Sequence, residues 1–590
     1  MHRGRVGRST GAAATVAVLV LVAGACTPGG QPSPETPADE PAPATPPEPE
    51  PDADDAPEPE PEDDPDLPAP DDGPADGDAD ALDEGSEDDR TQLTEHGVSA
   101  GDEAAVQAGL AMLREGGTAV DAAVAAAFAV SVVEPFASGL GGGGAALLAG
   151  PDQEPEAYDY REVVAADGTV PASETGIPGF VAGMAQLHEE HGALAWEDLL
   201  APSIELAEDG VGTTGILADQ LRSARSRLPE GELPELFPDG SPLDAGDQLV
   251  QPELADTLRT IADEGPGAFY GGDLGARLAD SVDGVDVDSL EAYEVQRSEP
   301  PRGVFGDLEV VGAAPPLPGA AFVQQLQVAE ALDVGSPAPG SADHLHRMAM
   351  AWRVADRTID AELGDPDFVD VPVETLVDPE VNAELAADID DGSLLAGAAS
   401  PVTAANTTHV TAVDEDGTVV SMTNTLTNFW GSGQRELGFF LNDQLRRFSI
   451  GGTNNEPEAG RRSVSWSLPV MVLDDQGRPV LGIGSPGGRR IPTILGNVLV
   501  RWGLHGEPLD AAVEAPRYHL EGDVLEFETL PDDGVAASLL DRGYAGLEEP
   551  TPPYYFGSVQ ALEIDHDRGT VGGALDPRRE GAFTVEDVDG

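Results

Sequence analysis

Asn406-Thr407-Thr408-His409-Val410, followed shortly by Val419-Val420-Ser421-Met422-Thr423-Asn424-Thr425, is the stretch on which the fold turns. Both runs are rich in β-branched residues and predict neighbouring short strands, Thr408–Val413 and Val419–Thr425. On composition alone a threonine run is simply a good strand former. A sharper chemistry is also open to it. A threonine hydroxyl is a weak nucleophile unless a base lies within hydrogen-bond reach, and a threonine at a chain's first position carries that base as its own α-amino group. Such an amine has a reference pKa of roughly 7.7, so near neutral pH part of it is free to take the hydroxyl proton. Thr407 can hold that position only if the bond after Asn406 is cut.

Outward from this stretch, residues 401–590 predict further short strands at Leu437–Leu441, Ser467–Leu473, Val480–Ile483 and Ala561–Ile564. Upstream the pattern becomes helical. Ala, Val and Leu recur at helical spacing over Asp102–Arg114 and Thr118–Val133, the second run apolar on nearly all sides and so buried. Phe180–His191 and Ala320–Leu332 read as helices too, among Pro/Gly-rich connections without a metal-ligand cluster of recognisable spacing. Between them Gly139-Leu140-Gly141-Gly142-Gly143-Gly144 leads into a hairpin of Ala145–Leu148 and Ala157–Glu162. No Gly-Lys-Ser/Thr follows the glycines, so a close-packed turn accounts for them better than a phosphate loop. A helix-rich first part feeding a strand-rich second part predicts stacked sheets flanked by helices, an α+β fold.

Charge and the N-terminus set the outer limits. All 30 basic residues of the 590 are arginine, against 110 acids, a net charge of −80. No basic surplus exists to neutralise phosphates, which argues against nucleic acid as a partner. Arg3, Arg5 and Arg8 precede a short apolar run from Gly11 to Ala25, and the sole cysteine, Cys26, follows it. This predicts a lipoprotein-type signal over residues 1–25 with Cys26 lipidated, and an extracellular protein anchored at the cell membrane, an ordinary cleaved signal with an incidental thiol being the alternative. Residues 26–90 then read as a disordered Pro/Asp/Glu-rich tether; its last 60 residues hold 24 acids and one base.

The chain resembles the γ-glutamyltransferase family of N-terminal-nucleophile hydrolases from about Gly97 to Gly581. The motifs that carry the likeness are Glu115-Gly116-Gly117-Thr118-Ala119-Val120-Asp121-Ala122-Ala123, Gly139 to Gly144, Tyr160-Arg161-Glu162, Gly176-Ile177-Pro178-Gly179, Asn406-Thr407-Thr408-His409, Gly484-Ser485-Pro486-Gly487-Gly488 and Asp576-Pro577-Arg578-Arg579. The resemblance implies a four-layer αββα sandwich and self-cleavage between Asn406 and Thr407. A large subunit, 91–406, and a small catalytic one, 407–590, would stay together as a heterodimer. It implies Thr407 as nucleophile, Thr425 as the hydroxyl that orients it, and Gly487 and Gly488 as oxyanion donors, bare glycine letting two N–H groups approach the tetrahedral oxygen. Arg161 would hold the substrate α-carboxylate through its guanidinium fork. His409 reads as structural, since the amine already supplies the base. No metal or organic cofactor is implied.

The donor pocket departs from the family pattern. Gln444 is retained, but Arg447 stands where the family has an aspartate facing the substrate α-ammonium. Thr427 replaces an asparagine, Ser465-Trp466 replaces a serine pair, and the loop between Ser449 and Arg462 is short. At an effective dielectric of about 20, a guanidinium about 4 Å from an ammonium costs about 4 kcal/mol. The chain is therefore expected to cleave γ-glutamyl-type amides, in small molecules or peptides, through an acyl-Thr407 ester. An acylase or poly-γ-glutamate-type amidase is the first alternative, and an inactive surface-binding lipoprotein the second.

Overall fold

The computed structural model describes residues 92–229, 231, 233–389, 405–449, 452–550 and 553–588. The expected signal, Cys26 and the acidic tether lie outside them. Among the described residues no helix is long and apolar enough to cross a membrane.

Two antiparallel sheets carry the molecule. The first has seven strands in the order 582–587, 95–100, 405–413, 419–428, 143–150, 153–159, 296–298. The second has six, in the order 570–574, 560–565, 479–484, 470–473, 308–312, 302–305. Strand alternation sorts their side chains between layers. Val98, Ala100, Val410, Ala412, Val420 and Met422 face the helices Glu103–Arg114 and Ala119–Val133. Val413, Val419, Leu147, Met471, Leu473 and Leu562 meet between the sheets. Val470, Val472, Leu481 and Ile483 pack outward against Gly319–Ala331, Ala342–Glu362 and Ile491–Leu499. The result is helix, sheet, sheet, helix, the layering expected from the family likeness.

The predicted helices begin and end within a residue or two of those observed. The Ala119–Val133 helix is buried along its whole length, and Thr118 and Asp121 close it with a reciprocal capping box. Four elements differ from expectation. The strand expected over Ser467–Leu473 begins only at Val470. Leu437–Leu441 is a strand only over Phe439–Phe440, with a single further bridge from Leu441 to Gly141. The strand expected over Ala157–Glu162 ends at Asp159, because the Asp159 carboxylate accepts the Arg161 N–H at 2.9 Å and turns the chain out of the sheet. The second sheet is not confined to the C-terminal part: Arg302–Phe305 and Leu308–Gly312 supply its edge.

The glycine run is a packing device. A Cβ on Gly141, Gly142, Gly143 or Gly144 would lie 2.1–2.5 Å from Phe440 O, Thr425 O, Tyr160 O or Asn424 Oδ1 respectively. Real Cβ contacts never come so near, so only glycine lets this strand press against the strand of Thr425 and the turn carrying Arg161.

Candidate active site

Thr407 sits near the head of the Ala405–Val413 strand, buried, on the face that looks toward the second sheet. Opposite it the ladder slips: Thr408 pairs with Asn424 and Asn406 with Thr427, so Thr425 and Leu426 together face Thr407. This is a bulge, a device that re-aims a side chain at a chosen point. Here it brings Thr425 Oγ1 to 3.4 Å from the Thr407 hydroxyl, which donates to it, while the Thr427 N–H donates to the same oxygen at 2.8 Å. Thr427 takes a left-handed φ of 83° to make that bend.

The Gly488–Arg490 turn lies against the same strand. Gly487 and Gly488 have φ of 149° and 58°, backbone that a side chain would strain. The turn is fixed from below, where the Ser485 hydroxyl donates to Pro486 O at 2.7 Å. Two residues along the strand from Thr407, His409 is fully buried. Its Nδ1 lies 2.8 Å from Thr423 Oγ1 and its Nε2 3.2 Å from Thr411 Oγ1, and Gly484 of the second sheet lies against its ring. Burial pushes the imidazole down to about 3, so it stays neutral and serves as inter-sheet packing, as expected.

On the other side of Thr425 the residues expected to line a donor pocket are wired together. The Thr427 hydroxyl donates to Gln444 Oε1, and Gln444 Nε2 donates to Ser463 Oγ at 2.8 Å. Ser463 O in turn accepts from Arg161 at 2.7 Å. Asn442 pins three loops at once, accepting from Gly176 N at 2.9 Å and donating to Gly141 O and Gly176 O at 2.9 Å each. Arg161 is fully buried, with Nε and one terminal nitrogen on Asp159, at 3.0 and 2.5 Å, and not on Glu162. Arg462 approaches the same Asp159 at 3.5 Å. Burial works to raise the Asp159 pKa, but Arg161 and Arg462 outweigh it and hold the carboxyl below its ordinary range.

Arg447 is half-buried at the end of the Gln444–Arg447 turn. Burial lowers its guanidinium to about 10, with Asp443 opposing, so it keeps its charge at neutral pH. Ser465 is buried two residues beyond Ser463. The Trp466 ring lies 6.4 Å from that of Trp352 and 5.4 Å from the Arg489 guanidinium.

Several participants were given no role from sequence: Asp159, Asn442, Asp443, Arg462 and Ser463. Asp159 carried a usable signal, standing two before Arg161 at a strand end. Ser463 did not, because motif alignment points to Ser465. Of the remaining motifs, Gly179 N donates to Gly142 O at 3.0 Å, and Asp576, buried, accepts from Arg517 at 2.6 Å and Val559 N at 2.7 Å. Both are structural ties.

Two antiparallel sheets between helix layers, with a threonine at the head of an inner strand, form the architecture of the N-terminal-nucleophile hydrolases. Within that class the sequence profile described as Gamma-glutamyltranspeptidase matches residues 105–585, and the chain belongs to that family, as an enzyme of the γ-glutamyltransferase and glutathione-hydrolase kind. The chain is 35% identical to the capsule biosynthesis protein CapD proenzyme of Bacillus anthracis, over 83% of this chain and 90% of that one. It is 32% identical to the glutathione hydrolase proenzyme of Escherichia coli K12, over 82% and 90%. It is 33% identical to the acylase ACY 1 proenzyme of Pseudomonas sp. strain SE83, over 80% and 90%. The crystal structure of cephalosporin acylase from Bacillus halodurans shares the fold, with a TM-score of 0.76 at 23% identity over 86% of this chain and 98% of that one.

Proposed function

We propose that the chain is an autoprocessing threonine amidohydrolase and acyltransferase for γ-glutamyl-type amides. The observation that carries this is the Thr407 hydroxyl aimed by the bulge at Thr425, with the Gly487-Gly488 turn packed against the same strand. In maturation Thr407 Oγ attacks the Asn406 carbonyl carbon, the peptide nitrogen leaves as the Thr407 amine, and water hydrolyses the resulting ester. In turnover Thr407 Oγ bonds to the donor's acyl carbon while its proton passes to that amine. The oxyanion forms against the Gly487 and Gly488 N–H groups. When the C–N bond breaks, the amine returns the proton to the departing nitrogen. Water or an acceptor amine then releases the acyl group and restores the Thr407 proton. By count Arg161 keeps two N–H groups beyond those given to Asp159 and Ser463 O, and these are assigned to the donor carboxylate. The two fragments stay associated because the Ala405–Val413 strand lies between Glu95–Ala100 and Val419–Asn428 in one sheet. Residues 1–25 act as the signal, Cys26 as the lipid anchor and the acidic segment as the tether that presents the enzyme outside the cell.

Mass spectrometry and N-terminal sequencing of purified protein test this. The expected result is a fragment of about one-third of the chain beginning Thr-Thr-His-Val-Thr, a larger partner bearing lipid on Cys26, and a single uncut chain for Thr407→Ala. Cleavage of that variant at the same bond would overturn the mechanism, and unmodified Cys26 on protein released to the medium would remove the anchor.

Arg447 favours a second reading of the donor. Arg447 adds a guanidinium beside Asp443, whose other neighbour Arg446 is shared with Glu174, and so puts a positive charge where the family pattern has an aspartate. It suits an acyl group carrying a carboxylate without a neighbouring free ammonium, such as a glutaryl amide or an internal poly-γ-glutamate unit, better than glutathione. Arg447→Asp should then shift kcat/KM toward glutathione by about tenfold or more, each 1.36 kcal/mol being one decade. Unchanged preference would show that Arg447 does not read the donor.

A further inference from the structure

Two consecutive arginines follow the Gly487-Gly488 turn and leave it in different directions. Arg490 lies over the Tyr555 ring at 3.8 Å and donates to Tyr555 O at 2.8 Å, and its own carbonyl accepts from the Thr493 hydroxyl at 2.9 Å. These contacts stay within the part of the chain after Thr407. Arg489 instead reaches across to the Ala342–Glu362 helix, which precedes the proposed cleavage point. There its guanidinium is ion-paired and hydrogen-bonded to Asp356, with both side chains largely buried. Trp466 supports it, at 5.4 Å to the ring centroid, and Trp352, one helical turn before Asp356, backs Trp466. Trp352 is itself fixed, its indole N–H donating to Leu520 O at 3.0 Å.

A Gly-Gly segment has little preference for one conformation and needs outside restraint to hold two N–H groups at a common point. Arg490 restrains the turn from one side and Arg489 from the other. We infer that Asp356, on the large-subunit side of the chain, is a positioning residue that holds the Gly487-Gly488 donors in register with Thr407 through Arg489, with Trp466 as the platform beneath the guanidinium. The bulky residue at 466 thereby has a role outside the donor pocket, and the large-subunit helix becomes part of the catalytic geometry without touching substrate. The inference rests on the oxyanion role proposed above for the two glycines.

The test uses the processed wild-type enzyme, Asp356→Asn and Arg489→Lys, with a boronic acid whose chain copies the γ-glutamyl group. Such a compound adds to the Thr407 hydroxyl as a tetrahedral anion and reports on the oxyanion donors. Misplacing these donors should lower kcat of Asp356→Asn by about tenfold or more, short of the 10²–10³ expected for losing a donor outright. KM should change less than about twofold, and boronate affinity should fall in step with kcat. Arg489→Lys keeps the charge but loses the planar fork and should fall between Asp356→Asn and wild type. Rates are referred to the fraction of Thr407 that titrates with the boronate, so a folding or processing defect does not count as a kinetic one. If Asp356→Asn keeps kcat and boronate affinity, or loses KM and kcat together, the clamp is wrong while the catalytic reading stands. If wild type itself fails to bind the boronate at Thr407, the catalytic reading falls, and the clamp with it.

Discussion

Glu162 is fully buried, and neither of its carboxyl oxygens has a hydrogen-bond partner among the described residues. Burial pushes its pKa up from 4.5 to about 8, with its own nearby backbone N–H and then Arg161 opposing. A carboxyl raised on folding contributes stability that is fully present below the unfolded pKa and is lost as pH rises through the folded one. Between about pH 4.5 and 8 the folded state should weaken by up to 1.36 kcal/mol per pH unit, a few kcal/mol in all. Glu134, raised by burial to about 7, adds in the same direction. Glu162→Gln should therefore flatten, without abolishing, the decline in urea-unfolding free energy between pH 5 and 8. An identical slope in wild type and variant would show that Glu162 does not titrate there. Nothing in Tyr160-Arg161-Glu162 announces this contrast, because a sequence shows two adjacent charges and not that Asp159 claims Arg161. Thr407 was open to reading as a candidate nucleophile from residue type, whereas Thr425 came only from the family likeness, because its facing Thr407 depends on a bulge that spacing alone does not show.

At the scale of elements, the strand Gly143–Gly150 sets how closely the Thr407 hairpin and the Arg161 turn approach each other. Gly143 pairs with Thr425 across the ladder, and a Cβ there would lie 2.5 Å from Tyr160 O and 2.7 Å from the Arg161 Cα. Both obstacles are backbone and cannot swing aside. Gly143→Ala should cost about 1–3 kcal/mol or more in urea unfolding and lower activity by moving Arg161 or Thr425. Gly212→Ala, where a Cβ would meet nothing within 4 Å, serves as the control. Equal stability of the two variants would mean that the strand yields easily. Helices here were legible because their apolar period and caps are local, as with Thr118 and Asp121. The pairing of Leu308–Gly312 with Val470–Leu473 was not, since its partners lie far apart in sequence and only the tertiary fold joins them.

Over the whole molecule the decisive quantity is charge. Residues 91–590 carry 86 acids and 26 arginines, a balance of −60. Even if every arginine neutralised one acid, most carboxylates would be left to repel one another. Many of the ion pairs among the described residues are at the surface, such as Arg222 with Asp219 and Asp244 or Arg568 with Asp565, and exposed pairs contribute about 0–1 kcal/mol each. Buried ones such as Arg517–Asp576 lie beyond the reach of salt. Added salt thus has two opposed effects: it weakens surface pairs, limited in number by the arginines, and it screens repulsion among the far more numerous acids. Between 0.01 M and 1 M the Debye length falls from about 30 Å to about 3 Å, shorter than the separation of most surface charges. Repulsion should dominate, so Tm should rise by several degrees over that range of NaCl, and an uncharged osmolyte matched in osmolality should not reproduce the steep part of the rise at low salt. A Tm that stays flat or falls with NaCl would mean that the surface ion pairs outweigh the unpaired acids, and that the acidic surplus is spaced widely enough to cost the folded state little.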